Sequence, residues 1–148
     1  MKMSSQHLSL PDTLYSPVLP ASFPNARLIY RNTAWSERLQ IDDKLADEAS
    51  WINRFCRFEA FEESLNTPLA LCYHGHQFGV YNPDLGDGRG FLYGQIIDPI
   101  TEKLLDFGTK GSGQTPFSRG ADGRLTLKGA VRELLATEML DALGVNTS

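Results

Sequence analysis

Gly86, Gly88 and Gly90 alternate with Asp87 and Arg89, which puts bare backbone amides beside a guanidinium. That combination suits the binding of phosphate. Lys110 follows at the end of a second apolar run, and Glu133 lies inside the next helical stretch. In kinase-like nucleotide sites a strand lysine holds phosphate oxygens, and a helix glutamate aims its flexible ammonium group. Taken singly, these residues read as an ordinary glycine-rich hairpin, a strand lysine and an exposed helix glutamate. Their order is what points to a nucleotide.

Other phosphate and metal signatures are incomplete. Gly108-Thr109-Lys110-Gly111-Ser112-Gly113-Gln114-Thr115 has the glycines of a P-loop, but Gln114 stands where the phosphate-reaching lysine belongs, and Pro116, Gly120 and Gly123 prevent a long helix from following. The glycines at 86, 88 and 90 lack the dinucleotide spacing, and Phe91-Leu92-Tyr93 continues as strand rather than helix. Asp106-Phe107-Gly108 spells the kinase metal-binding tripeptide, but it sits on the same predicted strand as Lys110 and reads as plain strand sequence. Cys72, His74 and His76 would share one face of a strand, yet Gly75 interrupts it and a fourth ligand is not apparent, so the histidines are expected to pack and hydrogen-bond. No residue of the chain is assigned to a metal.

The elements that must position Gly86–Gly90, Lys110 and Glu133 follow from periodicity. Residues 68–80 start as an apolar strand and run into a glycine-punctuated stretch, Phe91–Ile97 is a second strand, and Lys103–Lys110 a third. Gly111, Gly113, Pro116, Gly120 and Gly123 mark a long loop. From about Leu125 to Leu143, Leu127, Val131, Leu135, Met139 and Leu143 recur every four residues, and Gly144 is placed to end that helix. Around Glu133 the neighbouring turns carry Gly129, Ala130, Ala136 and Thr137, small enough for that face to approach a sheet while the leucine stripe packs elsewhere. Upstream, residues 42–63 show helical spacing, residues 26–31 a short strand, and residues 1–22 a Ser/Pro-rich extended segment lying on a surface. The fold class is α+β.

The 148 residues are 41 % hydrophobic, enough for a packed core, and carry a net charge of −4, which argues against an electrostatic nucleic-acid binder. The charge is uneven. Residues 37–63 hold eight acids and four bases, whereas residues 103–132 hold six bases and two acids. Two cysteines, no apolar run of membrane-spanning length and no secretory h-region lead to an expected cytoplasmic setting without a membrane partner.

Several dense motifs occur in one order: His74-Gly75-His76-Gln77-Phe78-Gly79, Leu85-Gly86-Asp87-Gly88-Arg89, Lys110-Gly111-Ser112-Gly113-Gln114-Thr115-Pro116-Phe117-Ser118-Arg119, Ala121-Asp122-Gly123-Arg124 and Arg132-Glu133-Leu134-Leu135 with Glu138. Together they resemble the N-terminal part of the selenoprotein O (YdiU) family. The resemblance implies a protein-kinase-like N-terminal lobe over residues 23–148 and a pseudokinase that works as a protein adenylyltransferase, moving AMP from ATP to Ser, Thr or Tyr hydroxyls of proteins. It implies nucleotide contacts from Gly86, Gly88, Arg89, Lys110, Asp122 and Gly123, with Glu133 paired to Lys110. ATP and Mg²⁺ are the implied cofactors.

Gln114 and His74 depart slightly from the family pattern, with no consequence that the residues define. The family's general base, its Mg²⁺ ligands and two further phosphate-binding arginines are expected beyond Ser148, so this chain by itself is expected to be inactive and to leave apolar surface uncovered. Two rival readings are an ATP-dependent phosphotransferase and a non-catalytic nucleotide-binding or interaction module.

Overall fold

The computed structural model describes residues 3–4, 6–41, 47–61 and 64–147. Its architecture is α+β, built on one antiparallel sheet. The central strand is β6 (Gly90–Ile97), and β7 (Leu104–Lys110) pairs with it from Gly90↔Lys110 to Ile97↔Leu104. On its other edge β6 pairs with β3 (Leu69–Leu71) at Leu92 and with β1 (Met3–Ser4) at Gln95 and Ile96. Beyond β3 lies β2 (Tyr15–Pro17). The surface-lying segment expected at residues 1–22 thus contributes strands to the sheet, with short 3₁₀ turns at Gln6–Ser9 and Asp12–Leu14 between them.

Between β3 and the glycine loop the chain forms a hairpin of β4 (Gly75–Gln77) and β5 (Val80–Asn82), turning through Phe78 and Gly79 at φ +54° and +78°. Two consecutive left-handed residues are what a tight hairpin turn demands. The packing expected of His74 and His76 occurs at the surface rather than in the core. Both are exposed, and their rings lie against Tyr81 at 5.8 and 5.6 Å.

Both faces of β6 are covered, and an aromatic cluster covers one of them. Phe91 and Tyr93 pack with Phe58, Phe61 and Phe107, the Phe58 and Phe61 rings lying 5.3 and 5.5 Å from that of Tyr93. Phe91 and Tyr93 share that face because they lie two residues apart on the strand, and the register shift between Leu92 and Gly94 then places Ile96 against Leu105 and Phe107. The Tyr93 hydroxyl donates to the Glu59 carbonyl at 2.6 Å, satisfying a polar group inside an apolar cluster. Burial pushes its phenol above the usual pKa.

These aromatics explain why the long helix expected at residues 42–63 is short. Helix α2 (Glu48–Phe55) starts at Asp47, whose carboxylate accepts from Ser50 N–H at 2.7 Å, and stops where Phe58 turns to φ +55°. Arg54 then caps the carbonyls of Glu59 and Ala60. The spacing of Phe55, Phe58 and Phe61 serves convergence on Tyr93 and Phe107, not a continuous helix. The outer parts of the expected span, 42–46 and 62–63, lie outside the described residues.

The strand expected at 26–31 is not one. That segment is irregular, Ile29 and Tyr30 are exposed, and Leu28 N–H donates to Glu48 Oε1. It leads into α1 (Thr33–Arg38), capped by the Asn32 side chain on Trp35 N–H.

Arg38 of α1 reaches the buried Asp98 at the end of β6 through two hydrogen bonds, of 3.2 and 2.5 Å, and the Thr101 hydroxyl donates to the same carboxylate. The Arg38 guanidinium, followed by Thr101, holds the Asp98 carboxyl well below the usual carboxylate range. A depressed folded pKa contributes stability above the unfolded value of about 3.9 and loses it as pH falls through the folded one. Thermal unfolding followed from pH 7 to pH 2 should therefore show the melting temperature falling below about pH 4, with a shallower fall in Asp98→Asn.

Helix α3 (Leu127–Ala142) begins at Thr126, whose side chain accepts from Gly129 N–H, and ends at Gly144 with φ +76°. The apolar stripe of Leu127, Val131, Leu135, Met139 and Leu143 is 45–72 % exposed rather than packed within the chain. No residue of α3 is buried. Its small-residue face stands off from the sheet, and a cleft opens between them.

Candidate functional site

The cleft encloses about 1380 Å³ and is walled by the glycine loop, β7, the loop after β7 and α3. That exceeds the roughly 300–1,000 Å³ of typical small-ligand pockets, and the cleft is open on one side. Gly88, Arg89, Lys110, Gly123 and Glu133 all line it. These come from four separate stretches of chain, each fixed by its own local structure.

The β6–β7 pairing sets the first two cations. Gly90 opposes Lys110, and Gly111 N–H donates to the Arg89 carbonyl at 2.9 Å, so the last residue of β7 is tied to the glycine loop. Glu133 on α3 then joins them. Lys110 Nζ is 2.9 Å from its Oε2, and a guanidinium nitrogen of Arg89 is 3.7 Å from its Oε1. All three side chains are half exposed, so the pairs themselves are worth no more than about 1 kcal/mol. Their value is geometric: one carboxylate holds two like-charged groups facing a common cavity.

Not every residue singled out in the sequence reaches the cavity. Gly86 lies behind the loop, bridged to Cys72, and a Cβ there would come within 2.5 Å of the Phe117 ring and 2.7 Å of the Leu71 carbonyl oxygen. Its part is close packing. Asp122 turns to its own backbone, accepting from Arg124 N–H at 3.0 Å, while its neighbours Ala121, Gly123 and Arg124 line the cleft. Asp106 and Phe107 are strand residues: the former lines the cleft while accepting from Gln95 and lying 3.4 Å from His7, and the latter lies in the aromatic core.

Reading the sequence alone overlooked Tyr73, Asp87, Thr115 and Ser118. Tyr73 lines the cleft beside Asp87, and burial, then the Asp87 charge, pushes its phenol up in pKa. Asp87 Oδ2 accepts from Leu71 N–H at 3.0 Å and pins the loop to β3. Thr115 and Ser118 donate to glycine-loop carbonyls. The available signal was the two hydroxyl residues three apart in a Gly/Pro loop, the composition of a hydroxyl-capped turn.

A sequence model of the family described as protein adenylyltransferase SelO matches residues 1–148. The chain belongs to the SelO family. It is 51 % identical over 140 residues to the protein nucleotidyltransferase YdiU of Synechocystis sp., and 53 % identical over 140 residues to that of Trichormus variabilis. Each alignment covers 95 % of this chain and 28 % of the relative. With the protein of the same name from Hydrogenovibrio crunogenus, identity is 45 % over 148 residues, 97 % of this chain and 30 % of the relative. The chain therefore spans less than a third of the length of these SelO-family relatives.

The residues present fit an anionic nucleotide better than they fit a metal. Arg89 and Lys110 supply a cationic pair at the cavity, whereas no group of three or more His, Cys, Asp or Glu side chains able to hold an ion occurs among the described residues. Among the same residues no helix is long and apolar enough to cross a membrane.

Proposed function

We propose that this chain is the nucleotide-binding, kinase-like N-terminal lobe of a cytoplasmic protein adenylyltransferase that moves AMP from ATP to Ser, Thr or Tyr hydroxyls of proteins. The observation that carries the reading is the Lys110–Glu133 ion pair of 2.9 Å, with Arg89 on the same carboxylate, at the wall of a nucleotide-sized cleft. Bound ATP supplies the AMP group and, in pyrophosphate, the leaving group. Lys110 and Arg89 would hold phosphate oxygens, Glu133 would aim both cations, and Gly88 and Gly123 would let the backbone approach closely.

Nucleotidyl transfer asks little covalent chemistry of a protein and much positioning of charge, which is what a preorganised cationic pair provides. Mg²⁺ is assigned no ligand and no step here, because the described residues do not assemble a site. The family name and the YdiU relatives support nucleotide transfer, and the exposed α3 stripe supports a lobe that the rest of a full-length protein covers.

ATP labelled at the α- or the γ-phosphate tests the reading in a full-length protein carrying this sequence. The expected result is α-label on acceptor protein, with none transferred by the 148-residue chain alone. Label from the γ-phosphate without α-label would make the protein a phosphotransferase and overturn the reading.

A further inference from the structure

We infer that Thr115 and Ser118 are positioning residues for the nucleotide phosphates, acting through the glycine loop; the inference rests on the nucleotide reading above. Three consecutive carbonyls of that loop are held by the segment after Lys110. Asp87 O accepts from the Thr115 hydroxyl at 2.6 Å, Gly88 O from the Ser118 hydroxyl at 2.5 Å, and Arg89 O from Gly111 N–H at 2.9 Å. A hydroxyl has one proton to give, and both of these spend it on the loop. Each also accepts from the latch's own backbone, Thr115 Oγ1 from Phe117 N–H at 3.1 Å and Ser118 Oγ from Thr115 N–H at 2.9 Å. Phe117 between them packs its ring under Gly86.

The direction of these bonds matters for a ligand. In a trans peptide the carbonyl and the following N–H point opposite ways, and the described residues contain no cis peptide. With Asp87 O and Gly88 O turned to the latch, the N–H groups of Gly88 and Arg89 turn away from it. Neither has a hydrogen-bond acceptor among the described residues. Gly88 and Arg89 line the cleft with Lys110. Successive amides facing one way make a concavity for an anion, and here the Thr115 and Ser118 hydroxyls fix that orientation through the loop carbonyls, Ser118 itself lying at the cleft wall. Because the latch continues directly from Lys110, it also sets the spacing between the loop and the lysine.

The test is steady-state kinetics of the full-length protein with Thr115→Ser, Thr115→Val and Ser118→Ala, measured beside Lys110→Ala. Removing a hydroxyl should raise the KM for ATP about tenfold in Thr115→Val and in Ser118→Ala, with the KM for acceptor protein unchanged. Thr115→Ser keeps the hydroxyl and loses the methyl, so it should retain the wild-type KM. A wild-type KM for ATP in Thr115→Val, or a raised one in Thr115→Ser but not Thr115→Val, would make the role one of packing and overturn the inference. Should Thr115→Val fail to fold, Ser118→Ala at its half-buried position decides in the same way. If the latch variants keep their KM while Lys110→Ala loses activity, the latch is wrong and the nucleotide site stands; if Lys110→Ala is fully active, the site itself is wrong.

Discussion

Lys110→Ala in a full-length protein carrying this sequence should lower nucleotidyl transfer by about 100-fold or more, the cost typical of deleting one preorganised donor from a transition-state charge site. Its melting temperature should move by only a few degrees. The Lys110 side chain is 55 % exposed, and its ion pair with Glu133 is of the solvent-screened kind that contributes little to folding. Glu133→Gln separates aiming from binding. The lysine charge remains, but the carboxylate that balances both Lys110 and Arg89 is gone, leaving two cations to repel each other across the cleft. A loss of about tenfold, smaller than for Lys110→Ala, is expected. Lys110→Arg should not rescue, because a planar guanidinium cannot replace a compact ammonium at 2.9 Å from Glu133 without moving the phosphate contact. Rates of α-label transfer with parallel thermal melts check all three variants.

Gly123→Ala should produce the largest loss of stability from a single methyl group. Gly123 adopts φ +70°, and an added Cβ would lie 1.9 Å from the Gly113 carbonyl oxygen and 2.5 Å from Gln114 N. Both obstacles are backbone, so no side chain can swing aside. The left-handed conformation costs about 1–2 kcal/mol for a residue with a Cβ, and overpacking adds about 1–3 kcal/mol. A loss of about 3 kcal/mol would be a large share of the stability of an ordinary domain. The contact closes the loop that carries Thr115 and Ser118, together with the Ser112–Arg124 bridge and the Gln114–Ala121 hydrogen bond. Damage at Gly123 should therefore also weaken nucleotide binding. Gly120→Ala is the internal control. Gly120 has φ +77° with open space around it, so denaturant unfolding should show only the conformational cost of about 1–2 kcal/mol.

The parts legible in the sequence were those where local pattern and final environment agree. Strands β6 and β7 fall within a residue or two of the apolar runs that announced them, and α3 lies where its four-residue stripe and Gly144 placed it. The Lys110–Glu133 contact was legible through order and spacing, since a strand lysine followed by a loop and a helix leaves few places for the glutamate to go. Residues 55–61 were misread because Phe55, Phe58 and Phe61 recur at helical spacing for a tertiary reason, their common contact with the aromatic cluster around Tyr93 and Phe107. Residues 26–31 were misread as a strand because Leu28, Ile29 and Tyr30 look apolar in sequence but lie exposed, the segment being tied to α2 by the Leu28–Glu48 hydrogen bond and by Arg31 over the Trp51 ring. The latch was invisible for a different reason. Its bonds join residues nearly thirty apart, and nothing local to Thr115 or Ser118 reveals that Asp87 and Gly88 are their partners.

The account stands on one claim, that the Arg89, Lys110 and Glu133 cluster receives the phosphates of ATP. A structure of the full-length protein with a non-hydrolysable ATP analogue tests it directly. The account predicts phosphate oxygens within hydrogen-bond distance of Lys110 Nζ and of the Arg89 guanidinium, with Glu133 still joined to Lys110. Phosphates bound elsewhere, with Lys110 paired to Glu133 and remote from the nucleotide, would contradict it.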